Sequence, residues 1–418
     1  MPTDRKAVSE KLPYIKPLNA IRGAAALIVV FFHIYKLDFF SKQLDLCCFS
    51  KGYFAVDMFF ILSGFVLMHV YSGKFPAVNF KNYYSFMVSR LARIYPVHFV
   101  MTGILVCFEL VKLFVLKTPA FTEYKSIPSL FTSLLMVQAW HIHSISPWNG
   151  VSWSISAEWF CYLFAPFIIA FWDKSRNLAV GLFLFFVPAI FLTQYTVLIH
   201  KEELTFEAGL LRIAVEFFMG LAVYGAYAAL RNKKMNSIAI DAGAWFCLTA
   251  LLTSSYLQIP ALGMIYLCGA LILFSSLSTG FFSKLLSHRS LFYFGEISYS
   301  MYLAHGVLFY NVFNKFMEQH PAQSPVTAIL DIILFASITI ACGALSYHGI
   351  EKPAREWLRK NLSKLPSIIA QQTQEPISVL VSLKPLNTLH YHFEKSDSNH
   401  EREGIYRVIQ WYKNQYSR

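Results

Sequence analysis

The chain has 418 residues, of which 56% are hydrophobic and 14% charged. Soluble globular proteins carry about 25% charged residues, so the composition excludes a water-soluble domain and indicates a polytopic helical membrane protein. The net charge of +12 would suggest nucleic acid in a soluble chain, but here Lys and Arg collect in particular loops; the expected partner is the lipid bilayer, not nucleic acid.

The opening residues, MPTDRKAVSEKLPYIKPLNAIRG, are polar and basic and run into an apolar segment with no small-residue cleavage site. Runs long enough to cross a bilayer follow at 18–36, 53–71, 94–116, 153–172, 179–199, 209–229, 239–257, 261–280, 291–315 and 326–348. A further run at 128–143 is short and holds Gln138, His141 and His143, which reads as a re-entrant or interfacial segment. If it does not cross and the N-terminus is cytoplasmic, the inner loops hold Lys74, Lys81, Arg90 and Arg93; Lys174 and Arg176; Arg231, Lys233 and Lys234; Lys284 and Arg289; and Lys352, Arg355, Arg359 and Lys360. The outer side holds only Lys42, Lys51, Lys117, Lys125, Lys201 and Lys315. This bias predicts an all-α bundle of about ten transmembrane helices with both termini in the cytoplasm.

Residues 1–360 form the expected membrane domain, and 361–418, with QQTQEP and KSDSNHERE, read as a polar cytoplasmic tail, partly disordered, with a short helix near 404–416. The seven Cys are scattered without a CxxC, so neither a disulfide framework nor a metal site is expected. No internal repeat is evident, which weakens a transporter built from inverted halves.

Ionisable groups are costly in lipid, so those inside the spans are candidate functional residues. His33 follows Arg22 by eleven residues, about 16 Å along a helix and on nearly the same face. At similar depth on the outer side fall His33, Asp57, Glu158, Arg212, Glu216 and His305, consistent with one polar cavity open to the outside. Taken singly, each is also accounted for by a structural salt bridge, a snorkelling end or, for His33, a bond to a neighbouring helix. Glu109 and Lys112 read as a local i,i+3 salt bridge. On the inner side, Arg22 with the i,i+3 pair Arg90 and Arg93 suits a phosphate-rich ligand, since guanidinium binds phosphate bidentately; ordinary positive-inside anchoring is the alternative. The run PWNGVSWSISAEWFCYLFAP places Glu158 beside Trp148, Trp153 and Trp159, which suits a glycan site or an aromatic interface belt equally.

Seven runs occur in order: LNAIRGAAALIVVFFH, FAVDMFFILSGFVL, SRLARIYP, WSISAEWFCYLFAP, LRIAVEFFMG, GEISYSMYLAH and YHGIEKPAREW. Together, over residues 18–358, they resemble the acyltransferase 3 family of integral membrane O-acyltransferases, which includes bacterial enzymes that acetylate surface polysaccharides. The resemblance implies an acyl donor, usually acetyl-CoA, taken from the cytoplasm as a substrate, with no permanently bound cofactor, and a carbohydrate hydroxyl acylated on the outer side. It implies that Arg22 with His33, and Arg90 with Arg93, are functional signatures, that Trp153 and Glu158 fall on a Trp-Ser-x-Ser-x-Glu run, and that His305 ends a further signature. Two departures stand out: Asn19-Ala20 replaces the usual Asp-Gly, and the esterase-like domain of many members has no counterpart in the short tail.

Residues and resemblance combine into one expectation for an inner-membrane enzyme. Arg22, Arg90 and Arg93 hold CoA phosphates, and His33 acts as general base or is itself acylated. Asp57 or Glu158 orients its imidazole and His305 assists, while Trp153, Arg212 and Glu216 face the acceptor. Two other classes stay open: a proton-coupled exporter of a glycan or lipid, relaying protons through His33, Glu158 and His305, and an inactive membrane scaffold.

Overall fold

The structure is a computed structural model describing residues 14–40, 42–75, 77–175, 206 and 209–362. The expected span at 179–199 and the tail beyond residue 362 lie outside them. The described residues are helical, without a strand.

Local sequence explains the main helix starts. α1 (Lys16–Lys36) has Pro17 in its first turn, where the fixed φ and missing N–H are harmless, and a Lys at its negative end. α2 (Phe54–Tyr71) is apolar around its whole circumference, with 12 of its 18 residues buried, and is therefore central. α3 (Phe80–Val111) starts at Asn79, whose side chain accepts from the Asn82 amide at 2.9 Å. It thus begins well before the apolar run at 94, because SRLARIYP is itself helical.

After the short α4 (Ile127–Leu134) the chain is irregular until α5 (Trp153–Ser175). Then come α6 (Gly209–Leu230), α7 (Ser237–Leu252), α8 (Ala261–Leu277) and the short α9 (Phe281–Leu286). α10 (Arg289–Leu308) continues through a π turn into α11 (Asn314–Gln319). α12 (Pro325–Ser346), opened by a Ser324–Thr327 capping box, continues through the π turn Tyr347–Glu351 into α13 (Lys352–Leu362).

Contacts fix the helix directions. α2, α5 and α6 are parallel: Phe60 meets Trp153, Ser63 meets Tyr162, Asp57 pairs with Arg212 and Gly64 abuts Gly220. α3 runs opposite, since Tyr71 at the end of α2 lies 2.9 Å from Ser89 near the start of α3. The 117–152 connection therefore begins and ends at one end of the bundle and does not cross, as the charge bias requires. It is held by side chains rather than by helix ladders: Gln138 Nε2 donates to the Ser152 carbonyl at 3.2 Å, and the Ala139 amide donates to Ser156 Oγ at 3.0 Å. Irregular backbone beside apolar helices persists only when its polar groups are satisfied in this way. Glu109 pairs with Lys112 at 2.7 Å, as expected, and also with Lys125 at 3.1 Å, pinning this connection to α3.

Among the described residues, six stretches are long and apolar enough to cross a membrane: Lys16–Lys36, Cys47–Tyr71, Phe80–Leu116, Gly150–Asp173, Gly209–Leu230 and Pro325–Leu362. Nine of the ten expected spans fall in the described residues, so six is fewer than expected. α7 and α8 are apolar but short, and α10 carries Glu296, His305 and three serines along its length.

Two glycine crossings set the geometry of the interior. A Cβ on Gly23 of α1 would lie 2.6 Å from the Gly295 nitrogen of α10, and one on Gly220 of α6 would lie 2.9 Å from the Gly64 Cα of α2. Only residues without side chains permit backbones this close. The first crossing positions Arg22, and the second positions Arg212.

Candidate active site

A cavity of about 600 Å³ opens between α1, α2, α3, α5, α10 and α13. Five arginines line it: Arg22, Arg90, Arg93, Arg355 and Arg359. The three expected from sequence are together, but they are held differently. Arg22 is locked to α10: its Nη2 donates to the Gly295 carbonyl at 2.5 Å and to Asn19 Oδ1 at 2.8 Å, and its Nε donates to Ser298 Oγ at 3.0 Å. Arg90 is stacked among the rings of Tyr71, Phe86 and Tyr162 at 5.6–5.9 Å, and its one hydrogen bond among the described residues is a long one, 3.4 Å, to Ser89. Arg93 has no hydrogen-bond or ion-pair partner among the described residues. Stacking leaves the edge of a guanidinium, where its donors lie, open to a ligand.

The substitution of Asn for the usual Asp at position 19 has a local reason. Asn19 Nδ2 donates to the Phe292 carbonyl at 2.8 Å and faces Glu296 Oε1 at 3.4 Å, while its Oδ1 accepts from Arg22. A carboxylate would put like charge against Glu296 and has no donor for Phe292.

Glu158 and Ser154 line the cavity from α5. Glu158 accepts from the Tyr162 hydroxyl at 2.6 Å, linking it through Tyr162 to Arg90. At the far end, Tyr302 and Ser154 close the cavity, their hydroxyls 2.8 Å apart, and Tyr302 also donates to the Val151 carbonyl at 2.9 Å.

The other face of Tyr302 meets the histidines. Its ring centroid is 5.2 Å from that of His305, which in turn is 4.9 Å from that of His33. His33 Nδ1 lies 2.9 Å from the Val29 carbonyl. A carbonyl only accepts, so in the neutral ring Nδ1 carries the hydrogen and Nε2 is the basic nitrogen. His305 is fully buried, and neither of its ring nitrogens reaches a partner in hydrogen-bond geometry. The main chain thus orients His33. Asp57 and Glu158, the expected orienting groups, lie elsewhere and make no hydrogen bond to it.

Asp57 belongs to a separate cluster with the expected acceptor-side residues. Arg212 Nε donates to Asp57 Oδ1 at 2.7 Å and to Glu216 Oε1 at 3.1 Å, and its Nη2 contacts Asp57 Oδ1 and donates to the Tyr53 carbonyl at 3.1 Å. Trp153 covers the guanidinium at 5.8 Å. All four residues are buried. Trp153, Arg212 and Glu216 are brought together as a sealed ion cluster, not as the wall of an open cavity.

Sequence reading missed Arg355 and Arg359 as site residues, counting them only as inner-loop charge. The π turn at 347–351 carries α13 past the end of α12 and packs it against α3, returning both arginines to the cavity. Tyr162 and Tyr302 were also unmarked; in a chain with 23 Tyr, nothing but position distinguishes them.

The family model described as acyltransferase domain matches residues 15–348. Among curated proteins, the chain is similar to acyltransferase MdmB of Streptomyces mycarofaciens, 33% identical over 36% of this chain and 38% of that protein. It is similar to O-acetyltransferase OatA of Staphylococcus aureus, 22% identical over 93% of this chain and 65% of that protein. A third relative, protein 2 in the picA locus of Rhizobium radiobacter, is 29% identical over 42% of this chain and 91% of that protein. The alignments to MdmB and OatA thus span less than two thirds of those proteins' lengths. No solved structure matches. With the family match running from α1 into the turn after α12, this chain belongs to the acyltransferase 3 family.

Proposed function

We propose that the protein is a membrane O-acyltransferase that moves an acyl group, acetyl by family default, from cytoplasmic acyl-CoA to a hydroxyl of a cell-surface glycan. One observation carries this reading. Arg90 and Arg93 keep donors uncommitted in a cavity whose far end is one tyrosine ring from the pair formed by the half-buried His33 and the buried His305. Phosphates suit the arginine end, because several guanidiniums near one another favour a multiply charged anion. The span from Arg22 to His33, about 16 Å, matches an extended thioester arm between the two ends.

In the reaction, His33 Nε2 takes the proton of the acceptor hydroxyl as its oxygen attacks the thioester carbonyl. The acyl–oxygen bond forms, the acyl–sulfur bond breaks, and the proton passes to the departing CoA thiolate. Tyr302 stands between donor and base, so its ring gives way when both substrates are seated. His305 borders His33 and keeps the pair dry. The donor is a substrate, and no resident cofactor takes part.

In the membrane, the charge bias favours about ten crossings with both termini in the cytoplasm of an inner-membrane protein, the arginine end facing inward. The helix directions within the bundle accord with that count.

The test is mass spectrometry of surface polysaccharide from cells carrying the chain, its His33→Ala variant, or neither. An acetyl mass increment only with the parent chain is the expected result. An increment retained at parent level by His33→Ala overturns the mechanism, and its absence with the parent overturns the acceptor class.

A further inference from the structure

Arg359 is the least committed cation of the cavity. It sits at the mouth on α13, exposed, and has no hydrogen-bond or ion-pair partner among the described residues. The charges that face it are Arg90, Arg355 and Arg93, all of its own sign. Arg355, one turn back, leans on Oε1 of the buried Glu351 at 3.7 Å, a loose contact, while the other oxygen of Glu351 accepts from Ser300 Oγ at 2.7 Å. Five arginines line the cavity against two carboxylates, Glu158 and Glu296, and a cluster with such an excess of positive charge is relieved by an anion.

The placement is also directional. Arg90 and Arg93 line the wall on α3, nearer Glu158 and Tyr162, whereas Arg355 and Arg359 extend the same cavity past the end of α12. A donor with one phosphate group would be matched by the wall pair alone. Four guanidiniums at two levels match a ligand with a diphosphate and a further phosphate beyond it.

Resting on the donor reading above, we propose that Arg355 and Arg359 form an outer subsite for the terminal phosphate of the donor nucleotide. The protein thereby selects a 3′-phosphorylated CoA thioester over its 3′-dephospho form.

Titration of the full chain with acetyl-CoA and with 3′-dephospho-acetyl-CoA tests this. Nanodiscs of phosphatidylcholine alone are used, so that no anionic lipid occupies the arginines. The parent should bind acetyl-CoA at least tenfold more tightly than the dephospho form, one decade being about 1.4 kcal/mol. Arg359→Gln should remove most of that preference, and Arg355→Gln/Arg359→Gln all of it. Affinity for the dephospho form should be unchanged in both variants, which also shows that they are folded. An unchanged preference in Arg359→Gln and the double variant, equal weakening toward both ligands, or a parent without preference overturns the subsite while the donor reading stands. A parent that binds neither thioester overturns both.

Discussion

Arg212 gives its donors to Asp57, Glu216 and the Tyr53 carbonyl, and Trp153 covers its face. Arg93 lines a cavity of about 600 Å³ and has no such partner among the described residues. Both sit inside the helix bundle, so both raise the cost of desolvating a charge. The difference lies in how the fold answers that cost. Around Arg212 the carboxylates are supplied by α2 and α6, whose glycines bring the two helices into backbone contact. Around Arg93 the carboxylates of Glu351, Glu158 and Glu296 are near, but none is in hydrogen-bond or ion-pair contact with it among the described residues. A saturated guanidinium has nothing left for a ligand and serves the fold; an unsaturated one beside a cavity is available to bind. Sequence alone made both candidate ligand-binding residues, Arg93 for donor phosphate on the inner side and Arg212 for the acceptor on the outer side.

The largest effect is expected at Arg212. Arg212→Ala leaves two buried carboxylates without their cation and should cost about 3–5 kcal/mol, enough to lose the folded protein. Arg93→Ala should leave the unfolding temperature in detergent near that of the parent. Equal thermal losses in the two variants would erase the distinction.

Next in size is His33→Ala. Removing the base should lower acyl transfer about 10²–10⁴-fold while acetyl-CoA affinity stays the same, because His33 lies beyond Tyr302 from the arginines. A parallel loss of donor affinity would place His33 in the binding site instead.

The glycine crossings sharpen the contrast with smaller effects. Gly220→Ala forces a methyl group against Gly64 and should destabilise by about 1–3 kcal/mol, without changing donor affinity in the protein that remains folded. Gly23→Ala should destabilise by a similar amount and also weaken donor binding, since it pushes α1 from Gly295, where Arg22 is anchored. Unfolding midpoints and donor titrations on both variants check this. Identical binding in the two variants would mean that the α1–α10 crossing does not shape the cavity.

Much of the fold was readable because a bilayer demands long apolar runs: α1, α2, α5, α6 and α12 fall within a few residues of the runs that announced them. What failed to show were the polar continuations. Residues 80–93 of α3 and 352–362 of α13 are helical but carry charge, so hydropathy ends the span before the helix does. The site was readable in part for the same reason. Arg22, Arg90 and Arg93 shared a level and do share a cavity. Depth along an axis does not say which helix is the neighbour, however, so Asp57, Arg212 and Glu216 looked like companions of His33 and instead form their own cluster. Arg355 and Arg359 were invisible as ligand groups because only the π turn after Ser346 brings them back to α3.

The central claim is that the guanidiniums of Arg90 and Arg93 are kept unpaired in order to bind donor phosphates. Isothermal titration of acetyl-CoA into Arg90→Lys/Arg93→Lys in nanodiscs tests it most directly, because Lys preserves charge, topology and lipid attraction but not the bidentate fork. Each lost bidentate contact should cost about 1.5–3 kcal/mol. Donor affinity is therefore expected to fall at least tenfold, one decade being about 1.4 kcal/mol, with the unfolding temperature unchanged. A double Lys variant that binds acetyl-CoA as tightly as the parent would show that these arginines anchor the helix bundle and that the donor binds elsewhere.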